Sequence, residues 1–365
     1  MPLQSAPFVS VVLPVRNAVG TIARAVASIR RQTWSAWELL VVDDGSMDGT
    51  REWLRAAART EARLRLIERP AEGLVAALNV GLAAARGGLI ARMDADDESH
   101  PERLAEQVAF FSAAENGAVG VVGCRVDFGG DGAAQAGYAL HVDWLNSLVT
   151  PEQIALNRFV ESPLAHPSVM FRREVVEKHG GYRAGDFPED YELWLRWLDA
   201  GVRMAKVPRV LLTWHDGPRR LSRLDPRYAP EKFFRLKAEW IAREVGRIIS
   251  IPPSARRVKD NAPDPRKIFI WGAGRHTRKR AAHLAAHGLT IAGYIDVDAK
   301  KTGRGLGGTG VPVMAVEDLP EPARSAGGGQ VFVLSYVTTR GARDYNRAKL
   351  LARGYVEGRD FLLCA

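Results

Sequence analysis

Residues Ala91-Arg92-Met93-Asp94-Ala95-Asp96-Asp97-Glu98 decide how this chain is read. They continue the apolar run Gly88-Leu89-Ile90-Ala91, so a buried strand leads straight into three carboxylates. Like charges crowded at a strand end cost energy unless a cation or a polar ligand neutralises them. Two carboxylates one residue apart, at the mouth of a strand in an α/β sheet, suit one hard divalent ion, Mg²⁺ or Mn²⁺. Such an ion is commonly held by one or two carboxylates together with substrate phosphates. Asp-x-Asp also occurs in plain surface turns, so the rest of the chain must supply the context.

Working outward, Phe8 to Val15 is a β-rich run closed by Pro14, and Thr21 can cap a helix with Ile22, Ala25, Val26 and Ile29 at helical spacing. Trp37 to Val42 is a second strand that ends in Asp43-Asp44-Gly45-Ser46, with Asp48-Gly49-Thr50 opening the next helix. Leu64–Glu68 is a third strand, Gly73–Ala85 an Ala/Leu helix and Leu89–Met93 a fourth strand. This alternation predicts a parallel, doubly wound sheet. Ligands of such sheets bind beyond the carboxyl ends of the strands. Three strands end there in ligand-type groups, at Pro14–Asn17, Asp43–Ser46 and Asp94–Asp97. Beyond them the pattern predicts a helix over Pro101–Ala114, a strand over Val119–Val126 and a loop-rich stretch over 127–165. A strand over His166–Arg172 follows, then a Trp-rich helix over Tyr191–Leu198 led by Glu189-Asp190. A strand over Val207–Trp214 ends at His215, and an amphipathic helix covers 228–250.

Charge divides the chain. Residues 1–250 balance 32 basic against 32 acidic side chains, while residues 251–365 hold 19 against 10, the whole of the net +9. A basic surface of this kind attracts phosphates, nucleic acid or anionic lipid without choosing among them, or is plainly solvated. Cys124 and Cys364 lie too far apart for a metal knuckle, and two cysteines make no disulfide framework. With no charged lead before an apolar core and no 18-residue apolar run, the expectation is a soluble cytoplasmic protein. The Pro-rich stretch 251–265 reads as a linker between a domain over 1–250 and a smaller one over 266–365.

Taken in order, Pro14-Val15-Arg16-Asn17, Asp43-Asp44-Gly45-Ser46-Met47-Asp48-Gly49-Thr50 and Asp94-Ala95-Asp96-Asp97 resemble the family 2 glycosyltransferases over about residues 7–240. Ala76 to Leu82, Pro101-Glu102-Arg103-Leu104 and Glu189-Asp190 extend the match. The resemblance implies a GT-A fold, a doubly wound mixed α/β sheet, and an inverting enzyme that moves a sugar from a nucleotide-sugar to a hydroxyl. It implies a donor wall of Pro14, Val15, Arg16, Asn17, Asp43, Asp44, Asn79 and Asp94, with Asp44 facing the base in the manner of a uracil-selective carboxylate. Arg16 stands where many relatives carry an aromatic residue. Asp96, Asp94 and His215 are the implied metal contacts, and Arg219, Arg220 and Arg223 lie on a segment that folds over the diphosphate in relatives. Asp190 is the implied base, with Glu189 orienting it, and His166 and Trp194 fall on the acceptor side. Simpler roles stand beside these: a turn or cap for Asp48, a cap for Asp97 ahead of the helix at Pro101, caps for Glu189 and Asp190, and packing for Trp194.

The acceptor implied is a glycan, a lipid-linked sugar or another hydroxyl, with cell-surface polysaccharide assembly as the setting and no nucleic acid as a partner. The basic last third adds the expectation of peripheral association at the inner face of the membrane. There, Gly272-Ala273-Gly274 after a strand, with Asp296 ending the next, resembles a Rossmann-type nucleotide-binding half. Thr277 replaces the third glycine of that fingerprint. Two other functions fit parts of the pattern. A nucleotidyltransferase would need a Gly-rich basic loop after the first strand, which Pro14-Val15-Arg16-Asn17-Ala18 does not offer, and a non-catalytic nucleotide-sugar-binding protein would not need Asp190.

Overall fold

The computed structural model describes residues 9–130, 136–217, 220–250, 266–303, 310–322, 331–339 and 341–365. The expected linker 251–265 and Arg219 lie outside the described residues. The chain forms two compact units: Met1–Ala155 with Ser162–Arg227, and Leu156–Glu161 with Tyr228–Ala365. The helix expected over 228–250 therefore belongs with the second unit, whereas the sequence division grouped it with the first.

In the first unit the described elements run β1 (Val9–Val15), α1 (Ile22–Arg30), β2 (Trp37–Asp44), α2 (Thr50–Thr60), β3 (Leu64–Arg69), α3 (Leu74–Ala84), β4 (Leu89–Arg92), β5 (Glu98–Ser99) and α4 (Arg103–Ser112). They continue with β6 (Val119–Phe128), α5 (Ala136–Ser147), α6 (Pro151–Asn157, whose end enters the second unit), β7 (Met170–Arg172), α7 (Arg173–His179), α8 (Glu189–Asp199), β8 (Arg203–Trp214) and α9 (Leu221–Leu224). The sheet order is β3-β2-β1-β4-β7-β6-β8-β5. Its first four strands are parallel, as the strand–helix alternation requires. β7 then runs antiparallel to both β4 and β6, which makes the sheet mixed.

Two expected elements differ. His166–Ser168 is a single 3₁₀ turn rather than the start of a strand, because Pro167 fixes its backbone and donates no ladder bond. The stretch expected to be loop-rich contains α5 and α6, whose apolar and aromatic residues show little helical periodicity in sequence.

Both sheet faces are covered. Val9, Val11, Leu13, Leu39 and Val41 enter one core with α1 and α4, while Val12, Leu40 and Ile90 enter the other with α3 and α8. That division is the period-2 alternation of strands buried on both faces. Two buried side chains tie the sheet to α4. Arg103 donates to the Arg92 and Val169 carbonyls, and Gln107 donates to those of Val122 and Ser168.

The second unit contains α10 (Pro230–Ser250), β9 (Lys267–Trp271), α11 (Arg275–Ala285), β10 (Ile291–Ile295), β11 (Val313–Met314), β12 (Val331–Ser335), α12 (Ala342–Ala352) and β13 (Phe361–Leu363). Its five strands are all parallel, in the order β11-β10-β9-β12-β13. This is an α/β sheet of Rossmann type. The buried ammonium of Lys237 on α10 donates to the carbonyls of Phe159, Val160 and Cys364. Burial lowers its pKa to about 8. No helix among the described residues is long and apolar enough to cross a membrane.

At Gly81, α3 lies close against the sheet: a Cβ there would sit 2.4 Å from Val12 Cγ1. Overpacking of this kind costs about 1–3 kcal/mol. Gly81→Ala should lower the urea midpoint accordingly without changing the dependence on denaturant, as measured by circular dichroism.

Candidate active site

The loops after β1 and β2 are bolted to each other. Asn17 is left-handed, with φ +52°, a conformation that asparagine tolerates better than most residues. Its side-chain oxygen accepts from the Met47 N–H at 2.8 Å, while its own N–H donates to Ser46 Oγ at 2.9 Å. Pro14 and Val15 end β1 beside Val42 and Asp43. Asp48 accepts from the Thr50 and Val19 amides, which gives it the turn role.

The two aspartates that end β2 are both buried but differently used. Asp43 accepts from Ser46 N–H and is paired at 2.7 Å with Arg51. Asp44 accepts from the backbone N–H groups of Glu72 and Gly73, and Arg16 lies 4.0 Å from it with its guanidinium largely in solvent. A depression of about 430 Å³ opens beside them, lined by Gly45, Ser46, Met47, Arg51, Glu68, Arg69 and Pro70.

β4 delivers the acidic group. Asp94, Asp96 and Asp97 each offer an oxygen within 4.8 Å of the others, which is the only group of metal-ligand type among the described residues. Asp97 is 1% exposed. One of its oxygens accepts from His215 N–H at 2.9 Å and the other, buried, has no partner. It does not cap the following helix, which starts only at Arg103. Burial, then Asp94 and Asp96, push its carboxyl well above the usual range, and burial with Asp94 raises Asp96 as well. An uncompensated cluster of this kind is what a cation would relieve.

His215 follows β8. Its Nδ1 lies 3.0 Å from the Gly129 carbonyl, so Nδ1 carries the proton and donates. Nε2 is buried without a partner. A backbone carbonyl on one ring nitrogen and a free lone pair on the other is the tautomer a metal-binding histidine needs. The three carboxylates, one of them with an orphaned oxygen, thus fit a hard divalent ion; the His215 ring is not part of that group. Arg220 faces the same carboxylates. It packs over Trp214 at 4.3 Å and Tyr138 at 5.1 Å, and bonds the Tyr138 hydroxyl.

The wall that carries Asp190 is built from α8. Glu189 and Asp190 open this helix, and Asp190 Oδ1 accepts from the Tyr191 N–H at 2.7 Å. Burial, reinforced by Glu189, raises the Asp190 pKa to about 7. His166 Nε2 lies 2.6 Å from the Tyr182 hydroxyl, and both rings are buried. Trp194 is fully buried, edge-on to His166 and Trp197, so its contact with these rings is packing. The Asn79 amide is spent on Tyr182: Nδ2 donates to its carbonyl at 2.9 Å and Oδ1 accepts from its N–H at 3.0 Å. Asn79, expected on the donor side, is thereby tied to Tyr182, the hydrogen-bond partner of His166. Tyr182 and Arg92 were both passed over; Arg92 stood inside the quoted acidic stretch as an unexplained charge.

In the second unit, Gly272 has φ +115°, and a Cβ there would meet Thr277 at 2.9 Å. Thr277 thus fills the space that the third glycine of the fingerprint leaves open. Asp296 accepts from the Ala273 and Asp298 amides and pairs with Lys301 at 3.2 Å. Gly274 precedes the first turn of α11.

Comparison with known proteins agrees with this architecture. Residues 10–180 match the sequence model for Glycosyl transferase family 2. A Bacillus subtilis (strain 168) protein described as glycosyltransferase EpsE is 35% identical over 216 residues, covering 57% of this chain and 73% of that one. The O-antigen biosynthesis glycosyltransferase WbnJ of Escherichia coli is 27% identical over 219 residues, covering 59% and 82%. The crystal structure of S. aureus TarS 1-349 in complex with UDP-GlcNAc is similar in fold, with a TM-score of 0.52 at 18% identity, over 76% of this chain and 71% of that one. The chain belongs to glycosyltransferase family 2 and is a glycosyltransferase, with the GT-A type of mixed sheet.

Burial and Arg92 pull the His166 pKa well below its ordinary value. The ring should therefore stay neutral from pH 8 to pH 6, with imidazole resonances that do not move in NMR titration while those of exposed histidines do.

Proposed function

We propose that the first unit transfers a sugar from a nucleotide-sugar, a UDP-sugar, to a hydroxyl of a glycan or lipid-linked acceptor with inversion, in the assembly of a cell-surface polysaccharide. The observation that carries this reading is Asp190, a part-buried carboxylate at the head of α8 whose pKa is raised to about 7. Single displacement needs one base. As the acceptor oxygen bonds the anomeric carbon, its proton passes to the Asp190 carboxylate, and the bond from that carbon to the diphosphate oxygen breaks with its electron pair. A pKa near the working pH suits a general base. Glu189 raises the basicity of Asp190 by its own charge.

The donor wall follows from the loops after β1 and β2. Asp44, which accepts from the Glu72 and Gly73 backbone N–H groups, suits the imide N–H of a uracil, and Arg16 beside it adds a charge within reach of base or phosphate. Asp94, Asp96 and Asp97, with His215, are the groups that would hold Mg²⁺ or Mn²⁺. Such an ion supplies Lewis-acid stabilisation of a departing diphosphate. Arg220, held over two aromatic rings, adds fixed positive charge for the same leaving group. The setting is supported by relatives such as WbnJ, described as an O-antigen biosynthesis enzyme. For the second unit we read a docking or regulatory module, because the Asp296 carboxylate is occupied by its own loop rather than held open for a ribose.

Asp190→Asn should lower kcat by about 10²–10⁴-fold while leaving donor affinity within a few-fold, measured by product release and by calorimetry. The product should be a nucleoside diphosphate; release of inorganic pyrophosphate would instead point to nucleotidyl transfer. Because the base works ionised, kcat/KM for the acceptor should fall as pH drops through about 7 and level off above it. Asp190→Asn should leave no such limb.

At Gly129, a Cβ would sit 2.5 Å from His215 Nδ1. Gly129→Ala should displace the ring and raise the Mn²⁺ concentration for half-maximal activity by about tenfold, the size expected when a partner that orients a metal ligand is lost. The urea midpoint should change little.

A further inference from the structure

The guanidinium of Arg220 is held mainly by groups that carry no charge. It lies 4.3 Å from the centre of the Trp214 ring and 5.1 Å from that of Tyr138, and its Nη1 donates to the Tyr138 hydroxyl. The buried carboxylate of Asp216 comes only to 3.8 Å. Arg223 engages that carboxylate more closely: its Nε donates to one oxygen at 3.0 Å and its Nη2 to the other. One negative charge therefore serves two arginines, and Arg220 has the weaker share. Ring faces and a hydroxyl orient a guanidinium without cancelling its charge, whereas a carboxylate does both.

The backbone shows where that unspent charge is kept. Trp214 and Asp216, which both touch Arg220, flank His215, and the His215 N–H donates to Asp97 at 2.9 Å. One short segment thus ties Arg220 to the acidic group after β4. Tyr138 reaches the same place from the first turn of α5. Its ring centre is 5.3 Å from those of both Phe128 and Trp214, which are register partners at the ends of β6 and β8. For packing between these rings a phenylalanine would serve as well. The hydroxyl is accounted for by its bond to Arg220.

We propose that Tyr138 is a positioning residue for transfer: its hydroxyl and ring, together with the Trp214 ring, hold the Arg220 guanidinium beside the acidic group with its charge left to meet the diphosphate of the donor. The inference rests on the reading of Arg220 as a leaving-group contact. It adds a residue from α5 that acts only through that arginine.

The probes are UDP and UMP, with GDP and GMP in parallel so that either base is covered. They are titrated by calorimetry, at saturating Mn²⁺, into the wild-type chain, Tyr138→Phe, Arg220→Gln and the double variant. Tyr138→Phe keeps the ring and removes the hydroxyl. It should weaken diphosphate binding by about fivefold, with monophosphate binding within about twofold and the urea midpoint little changed. Arg220→Gln should weaken the diphosphate by about tenfold or more. Adding Tyr138→Phe to it should cost nothing further, because the hydroxyl acts through that guanidinium. Equal weakening of diphosphate and monophosphate by Tyr138→Phe, or the same loss in the Arg220→Gln background as in wild type, would make Tyr138 a framework residue and overturn the inference. Unchanged diphosphate binding in Tyr138→Phe, with Arg220→Gln impaired, would overturn it while leaving the reading of Arg220 in place. If Arg220→Gln binds the diphosphate as wild type does, or wild type binds none, the leaving-group reading falls and the inference falls with it.

Discussion

Carboxylates packed away from water at the end of a strand repel one another, and most of the first unit's unusual features answer that repulsion. Asp94, Asp96 and Asp97 follow β4 within a few residues, and the protein meets their charge with Arg92 on one side and Arg220 on the other. Neither arginine is free to drift: one is sealed in the core and the other is sandwiched against Tyr138 and Trp214. An Asp97 oxygen is left buried and without a partner, and so is Nε2 of His215, the residue whose backbone N–H donates to the other Asp97 oxygen. A scaffold built only for stability would have no use for either.

The sheet explains why these groups meet. Four parallel strands bring the loops after β1, β2 and β4 to one edge, as any doubly wound sheet does. The reversal at β7 breaks that regularity. By running antiparallel between β4 and β6, it carries the chain from the His166 turn past the flank of β4. The Asn79 amide then clamps Tyr182 from α3, so the segment beside His166 is fastened to the half of the sheet that carries the loops after β1 and β2.

Much of this was legible in the sequence where spacing reports periodicity. The first four strands, their helices and the three polar strand ends follow from alternation of apolar runs and turn residues. The reversal at β7 was not legible, because a strand of three residues carries no sign of its direction, and Pro167 hides the turn before it. Asp190 stood out through its resemblance to a motif, whereas its basicity depends on burial and on Glu189, which no local pattern reveals. Asn79 shows the opposite limit: the residue is visible in a motif, but its partner lies 103 positions away. Arg92 was overlooked for a similar reason, since a charge next to acidic residues reads as a surface pair until its burial is known.

The path of the backbone has a further effect on how the protein can be divided. Lys237 draws its carbonyl partners from residues 159 and 160 as well as from Cys364, and Arg158 pairs with Glu244 at 2.9 Å. A six-residue strip, 156–161, is thus threaded out of the catalytic portion's sequence into the other unit and back again. A fragment beginning near 266 would lack both Lys237 and that strip, so neither half is a cassette that recombination could exchange by a single cut.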